Sequence, residues 1–347
     1  MGLIVMPRKA KAKIDVDKMV EDIISDSDEL VAPEIEEYEG KSIDKQFKLE
    51  DLDGVGRVTA QKLRNAGYQT IRDIAYASAH ELAMVIGSED RAFSIIRSAQ
   101  RLLGEGEEFI TAKELFERRK NLEYISTGVR ALDDLLDGGV EVGSITEFIG
   151  EFGAGKTQVC HQLAVMVQLP RGQGGLAARA LYIDTEGTFR PERIVQIARH
   201  RGLDPEKTLE NIIYARAYNS DHLISLLQHS INVGLLKEIG LIIIDELTNL
   251  PRKEFLSSSE RAEIYHKIVK SLKVLSRLGV AIVSTRQVVQ LKNKLIPAGG
   301  PAFDSYAEKS VFLSRRGEMR EAERIDGEKI GQSVVFNISE EGVLDVY

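Results

Sequence analysis

Cysteine is almost missing from this chain of 347 residues: Cys160 is the single one. An internal disulfide is therefore excluded, and a reducing compartment fits. Positive charge is also in deficit, with 46 lysines and arginines against 54 acidic residues and a formal net charge of −8. Taken whole, that balance argues against a nucleic-acid partner. A long apolar run is missing at the start. Met1 to Met6 is apolar but far too short to span a bilayer, and the basic Arg8, Lys9, Lys11 and Lys13 follow it, the reverse of a signal peptide. These absences predict a cytoplasmic protein with no membrane partner.

The position of the acidic charge reopens the question of nucleic acid. Residues 15 to 44 hold twelve acidic and two basic side chains, while residues 1 to 14 hold four basic ones. Beyond residue 44 the chain is nearly neutral, so a local basic patch remains compatible with DNA. Residues 1–46 carry few large apolar side chains and bury too little to offset their ordering entropy, which predicts a disordered acidic tail. With 43% hydrophobic residues the remainder has ample material for a packed core, and its length allows two domains.

The stretch Gly150-Glu151-Phe152-Gly153-Ala154-Gly155-Lys156-Thr157 follows the apolar run 145–149 and precedes a helical stretch, 158–168. Strand, glycine loop and helix in this order make a phosphate cradle. Glycines let backbone N–H groups turn toward phosphate oxygens, and the helix directs its positive end at the same charge. Lys156 would neutralise phosphate and Thr157 would hold Mg²⁺. A nucleoside triphosphate with Mg²⁺ is the expected ligand.

Apolar, β-branched runs at 145–149, 180–183, 211–215, 241–244 and 280–284 alternate with amphipathic stretches at 190–201, 220–236 and 259–277. The alternation predicts βαβ units and a mostly parallel sheet covered by helices, an α/β core over residues 121–347. Runs at 309–314, 321–325, 333–338 and 343–346 predict an antiparallel edge ending in a hairpin. Ligands collect at the carboxyl ends of parallel strands. Asp245, closing one such strand, is the expected metal-side carboxylate. Hydrolysis also needs a base to orient water, and both Glu186 and Glu246 sit at strand ends. Thr285, Arg286 and Gln287 close the fifth strand, where a γ-phosphate sensor would lie.

Residues 47–104 predict a small helical domain. Leu52-Asp53-Gly54-Val55-Gly56-Arg57-Val58-Thr59 is a glycine turn opening a helix, similar to a helix-hairpin-helix motif. Gly54 and Gly56 would expose backbone N–H groups to a nucleic-acid phosphate, with Arg57, Lys62 and Arg64 nearby. Such contacts position DNA without reading sequence. The domain carries eight basic and seven acidic residues, so affinity must come from a local patch. Residues 105–120 follow as a linker. Within it Phe109-Ile110-Thr111-Ala112 has the character of an extended segment that lays an aromatic anchor on a neighbouring subunit.

Together these motifs resemble the archaeal RadA recombinase family, relatives of bacterial RecA and of the eukaryotic strand-exchange recombinases. The resemblance covers residues 47–347 and rests on Gly150 to Gln162, Tyr182 to Arg190, Tyr214 to Asn219 and Ile125 to Gly128. It implies a RecA-like P-loop ATPase core plus an N-terminal all-helical helix-hairpin-helix domain. It further implies a cytoplasmic protein of an archaeal cell that assembles with itself, as an ATP-bound helical filament or ring. The filament would hold single-stranded DNA and pair it with homologous double-stranded DNA.

Residue by residue, the resemblance implies that Lys156, Thr157 and Gln158 belong to the ATP and Mg²⁺ site and that Asp245 lies on the metal side. It favours Glu186 over Glu246 as the water-activating base, and makes Gln287 the link from γ-phosphate to the second DNA loop. Arg193 and Gln196, on one helix face, match adenine contacts, and Asp326 matches a cap on a neighbour's nucleotide. Arg252 falls in the first DNA loop, Lys292 and Lys294 in the second, and Phe109 and Ala112 would anchor in the next subunit. Three departures stand out: Glu246 replaces a small hydroxyl residue, the 288–306 loop is short with Gly299-Gly300-Pro301 in place of two glycines and a histidine, and prolines are missing after Asp326. They support a second reading, a divergent paralog that binds ATP and assists another recombinase.

Overall fold

A computed structural model describes residues 47–103, 111–232, 238–291, 294–303 and 305–346. The acidic tail, Phe109 with the rest of 104–110, and Lys292 lie outside the described residues.

Helices Arg57–Asn65, Ile71–Ala75, Ala79–Ile86 and Glu89–Leu102 build the N-terminal part. Their boundaries follow local chemistry. The Thr70 hydroxyl accepts the Asp73 N–H at 3.1 Å while Asp73 accepts the Thr70 N–H at 2.7 Å, a reciprocal cap. Gly87 ends its helix in the left-handed region, φ 83°. The apolar faces meet at the buried Leu63, Ile74, Leu82 and Ile95. Helix Ala112–Lys120 is different: Thr111 and Glu114 cap it reciprocally, yet it buries none of its side chains.

The strands are β1 (Tyr124–Ile125), β2 (Val140–Glu141), β3 (Ile145–Gly150), β4 (Arg179–Asp184), β5 (Ile212–Arg216), β6 (Ile239–Asp245), β7 (Ala281–Arg286), β8 (Val288–Leu291), β9 (Lys294–Pro297), β10 (Lys309–Arg316), β11 (Met319–Arg324), β12 (Ser333–Ser339) and β13 (Gly342–Asp345). Nine of them form one sheet in the order β13-β12-β11-β10-β3-β7-β6-β4-β5. From β10 to β5 every neighbouring pair is parallel, and β10 to β13 are joined antiparallel. Because β10 runs parallel to β3, the antiparallel edge begins one strand later than the sequence pattern suggests. A second difference is a ribbon, β8 with β9, inside what reads as a plain loop.

Side-chain alternation sends successive strand residues to opposite faces. Phe148, Tyr182, Ile243 and Val283 pack on one face with helix Lys156–Met166 and helix Pro191–His200. Ile145, Ile183, Ile242 and Ile282 pack on the other, against helices Ser220–Asn232 and Ser258–Arg277. The register brings the parallel strand ends level, with Asp184 beside Asp245 and Ile149 beside Arg286.

Candidate functional site

At the end of β3 the chain turns sharply into helix Lys156–Met166. Gly155 has φ 108°, a conformation that L side chains rarely adopt, and a Cβ at Gly150 would lie 2.3 Å from the Leu313 carbonyl oxygen. Both glycines are therefore required by the turn. Lys156 is buried and donates from Nζ to the carbonyls of Gly150 (2.7 Å) and Glu151 (2.9 Å). Burial lowers its pKa, against the raising effect of Glu246, Asp245 and Glu186. His161, one turn on, binds the Thr157 carbonyl through Nδ1 (2.7 Å) and accepts the Arg190 N–H at Nε2 (3.0 Å), so it is neutral with the proton on Nδ1. Burial lowers its pKa and favours that form.

The loop opens on a cleft of about 550 Å³. Phe152, Gly153, Gly155, Lys156, Thr157, Gln158, Glu186, Arg193, Gln196, Asp245, Glu246 and Gln287 all line it. Thus residues from four strand ends, up to 135 positions apart between Phe152 and Gln287, converge where the sequence places one ligand. Gly150, Glu151 and Ala154 shape the loop without lining the cleft. Asp326 is elsewhere, paired with Arg324, which also reaches Asp137 at 3.3 Å.

Two carboxylates flank the loop lysine differently. Glu186 is exposed on the loop after β4, and its pKa is raised first by desolvation and then by Asp245. Its loop is built by Asp184, whose Oδ1 accepts the N–H groups of Glu186 (2.8 Å) and Gly187 (2.6 Å) and the Arg216 guanidinium (2.8 Å). Asp184 therefore positions the loop and is fully committed to it. Glu246 is 1% exposed. Its Oε1 accepts the Thr248 N–H (3.1 Å), the Thr248 hydroxyl (2.5 Å) and the Gln287 N–H (3.0 Å), while Oε2 is buried with no hydrogen-bond partner among the described residues. Desolvation raises its pKa.

Asp245 accepts the Thr285 hydroxyl on Oδ1 (2.6 Å) and the Tyr182 hydroxyl on Oδ2 (2.9 Å). Oδ2 also takes the Thr188 hydroxyl at 3.5 Å, so it is Oδ1 that keeps a further lone pair for a metal-bound water. No group of three or more His, Cys, Asp or Glu among the described residues could hold a metal ion. Such sparse ligation fits Mg²⁺, which is bound through one or two side chains plus phosphate oxygens and waters.

Arg193 donates to Gln158 (2.7 Å), to Gln196 (2.8 Å) and to the carbonyls of Ser339 (2.5 Å) and Glu340 (2.6 Å). The last two belong to a wall that sequence reasoning missed: Arg320, Ile338, Ser339 and Glu340 close the cleft from the antiparallel edge. No motif marks them. Only the pairing of β11 with β12 carries them to the loop.

The residues assigned to DNA occupy two separate surfaces. Gly54 (φ 79°) and Gly56 form an exposed turn ahead of helix Arg57–Asn65, with Arg57 and Lys62 exposed on it. Arg64 is instead bound to Glu50 by two hydrogen bonds, 2.9 and 2.7 Å. In the core, Arg252 lies on helix Asn249–Glu254 and lines a groove of about 530 Å³ with Arg261, Val289, Ala298 and Gly299. Arg261 fixes the preceding loop by donating to the carbonyls of Phe255 and Leu256, both at 2.8 Å, leaving Leu256 96% exposed. Lys294 opens β9 and is exposed.

The Rad51 family profile matches residues 118–346, about two thirds of the chain. The chain belongs to the Rad51 family. Residues 47–101 match the SAM-like helix-hairpin-helix tandem, so the N-terminal helices are a helix-hairpin-helix domain beside a Rad51 core. A maize (Zea mays) protein, DNA repair protein RAD51 homolog B, is 39% identical over 317 residues, covering 86% of this chain and 93% of the maize protein. Membership in a family of RecA-like recombinases carries recombination and repair, with ATP and DNA binding, to this chain. No helix among the described residues is long and apolar enough to cross a membrane.

Proposed function

We propose that this chain is a DNA-dependent ATPase of homologous recombination and DNA repair, acting as a divergent Rad51 paralog that assembles with itself or with another recombinase on single-stranded DNA. The observation that carries this reading is the single cleft that gathers Lys156, Thr157, Glu186, Asp245 and Gln287 beside a phosphate cradle. Mg²⁺, entering with ATP, supplies charge neutralisation of the phosphates. Lys156 and the loop N–H groups bind phosphate, while Thr157 and Asp245 orient the metal side. Arg193 and Gln196, already held together, face the base. Glu186, with its raised pKa and fixed loop, accepts the proton of the attacking water.

The paralog reading is favoured over a self-sufficient recombinase by Glu246, by the short β8–β9 ribbon and by the maize relative's name. The same family likeness leaves the archaeal RadA assignment, and with it an archaeal cytoplasm, as the finer form of the proposal. For assembly, β5 is a sheet edge whose Ile213 and Ala215 are only partly buried, a surface suited to Phe109 and Ala112 of a second copy. The separating experiment is strand exchange, alone and with a second recombinase added. A paralog gives little product alone and raises the product of the other; efficient exchange alone makes the chain a recombinase in its own right.

A further inference from the structure

Three consecutive residues at the end of β7 are each tied to a different buried carboxylate. Thr285 donates its hydroxyl to Asp245 (2.6 Å), Arg286 pairs with Glu147 (2.8 Å), and Gln287 donates its backbone N–H to Glu246 (3.0 Å). Directly after them starts the ribbon β8–β9, closed at its base by the Ala298 N–H donating to the Gln287 carbonyl at 2.8 Å. A continuous set of hydrogen bonds therefore runs from Glu246 through Gln287 to the ribbon that carries Lys294.

Glu246 stands at the other end of that set as well. It lines the cleft, and while Oε1 is saturated by three donors, Oε2 is buried with none among the described residues. A buried carboxylate oxygen without a donor is costly, and a donor arriving in the cleft relieves that cost. We propose that Glu246 is a positioning residue: a water of the metal-bound triphosphate donates to Oε2, fixes the carboxylate, and so tightens its Oε1 grip on Gln287 and the ribbon. The proposal rests on the reading of the cleft as a triphosphate site. Coupling of this kind is reciprocal, so a ligand that orders the ribbon must equally tighten the nucleotide.

Amide hydrogen exchange of residues 287–298 in the full chain tests it, with and without Mg²⁺ and a non-hydrolysable ATP analogue at concentrations saturating each variant. In the unsubstituted chain the analogue slows exchange of the ribbon by about fivefold or more. Glu246→Gln keeps an acceptor for Gln287 but turns the Oε2 position into a donor. It retains the nucleotide-free protection of the ribbon and loses the response to the analogue. Glu246→Ser loses both. If the serine variant does not fold, the glutamine variant alone carries the test. A response in Glu246→Gln equal to that of the unsubstituted chain, or no response in the latter despite bound analogue, overturns the proposal. A chain that binds no triphosphate overturns the reading of the cleft and this inference with it.

Discussion

Glu147 on β3 and Arg286 on β7 form a two-point ion pair inside the sheet, with Nε to Oε1 and Nη2 to Oε2 both at 2.8 Å. Both are at most 3% exposed, and the Tyr306 hydroxyl donates to the same carboxylate at 2.5 Å. Breaking such a pair leaves a buried charge uncompensated. Glu147→Ala is expected to destabilise the fold by about 3–5 kcal/mol, read from urea midpoints; a loss below about 1 kcal/mol would mean that water reaches Arg286.

The same carboxyl group predicts a pH dependence. Burial pushes Glu147 from 4.5 up to about 7, although Arg286 and Tyr306 both favour its charged form. Between about 4.5 and about 7 the folded state therefore keeps a proton that the unfolded state has released. Its contribution to stability is full below 4.5, declines through this window as pH rises, and is gone above about 7. In Glu147→Gln the decline across that window should be smaller than in the unsubstituted chain. An identical slope in the two proteins would assign the titration elsewhere.

Glu186 and Glu246 compete for the role of base, and paired substitutions separate them. Glu186→Gln should bind ATP with little change while turnover falls at least about a hundredfold. If Glu246→Gln shows that loss and Glu186→Gln does not, the assignment is reversed.

The glycine turn at Gly54 and Gly56 gives a salt-dependence test. If Arg57 and Lys62 each neutralise one phosphate, replacing both by Ala lowers the slope of log affinity against log salt for single-stranded DNA by about 1.4. An unchanged slope would place the helix-hairpin-helix domain off the DNA.

Self-assembly gives a size measurement. Phe109→Glu should leave the chain folded, with unchanged helical circular dichroism, and shift it to the monomer position on a sizing column in the presence of ATP. A size distribution matching the unsubstituted chain would remove Phe109 from the interface.

The strand ends were legible in the sequence because buried parallel strands appear as short apolar runs, and the residue that ends such a run must lie on the rim of the sheet. That logic put Asp245, Glu186, Glu246 and Gln287 on the rim, where all four line one cleft, and the family resemblance chose Glu186 and Gln287 among the strand-end candidates. Arg320 and Ile338 were not legible, since their approach to Gly155 depends on how the antiparallel edge folds back, more than 160 residues along the chain. Glu147 and Arg286 likewise sit within apolar runs whose register only the assembled sheet defines. The role of Asp184 also escaped the pattern: a carboxylate at a strand end reads as reactive, yet backbone N–H groups and Arg216 occupy it.

Steady-state ATP turnover by the full chain, with and without single-stranded DNA and with Lys156→Ala as the blank, tests the central claim most directly. The account predicts turnover that DNA stimulates and that Lys156→Ala abolishes. Turnover indifferent to DNA, or undiminished in Lys156→Ala, would contradict it.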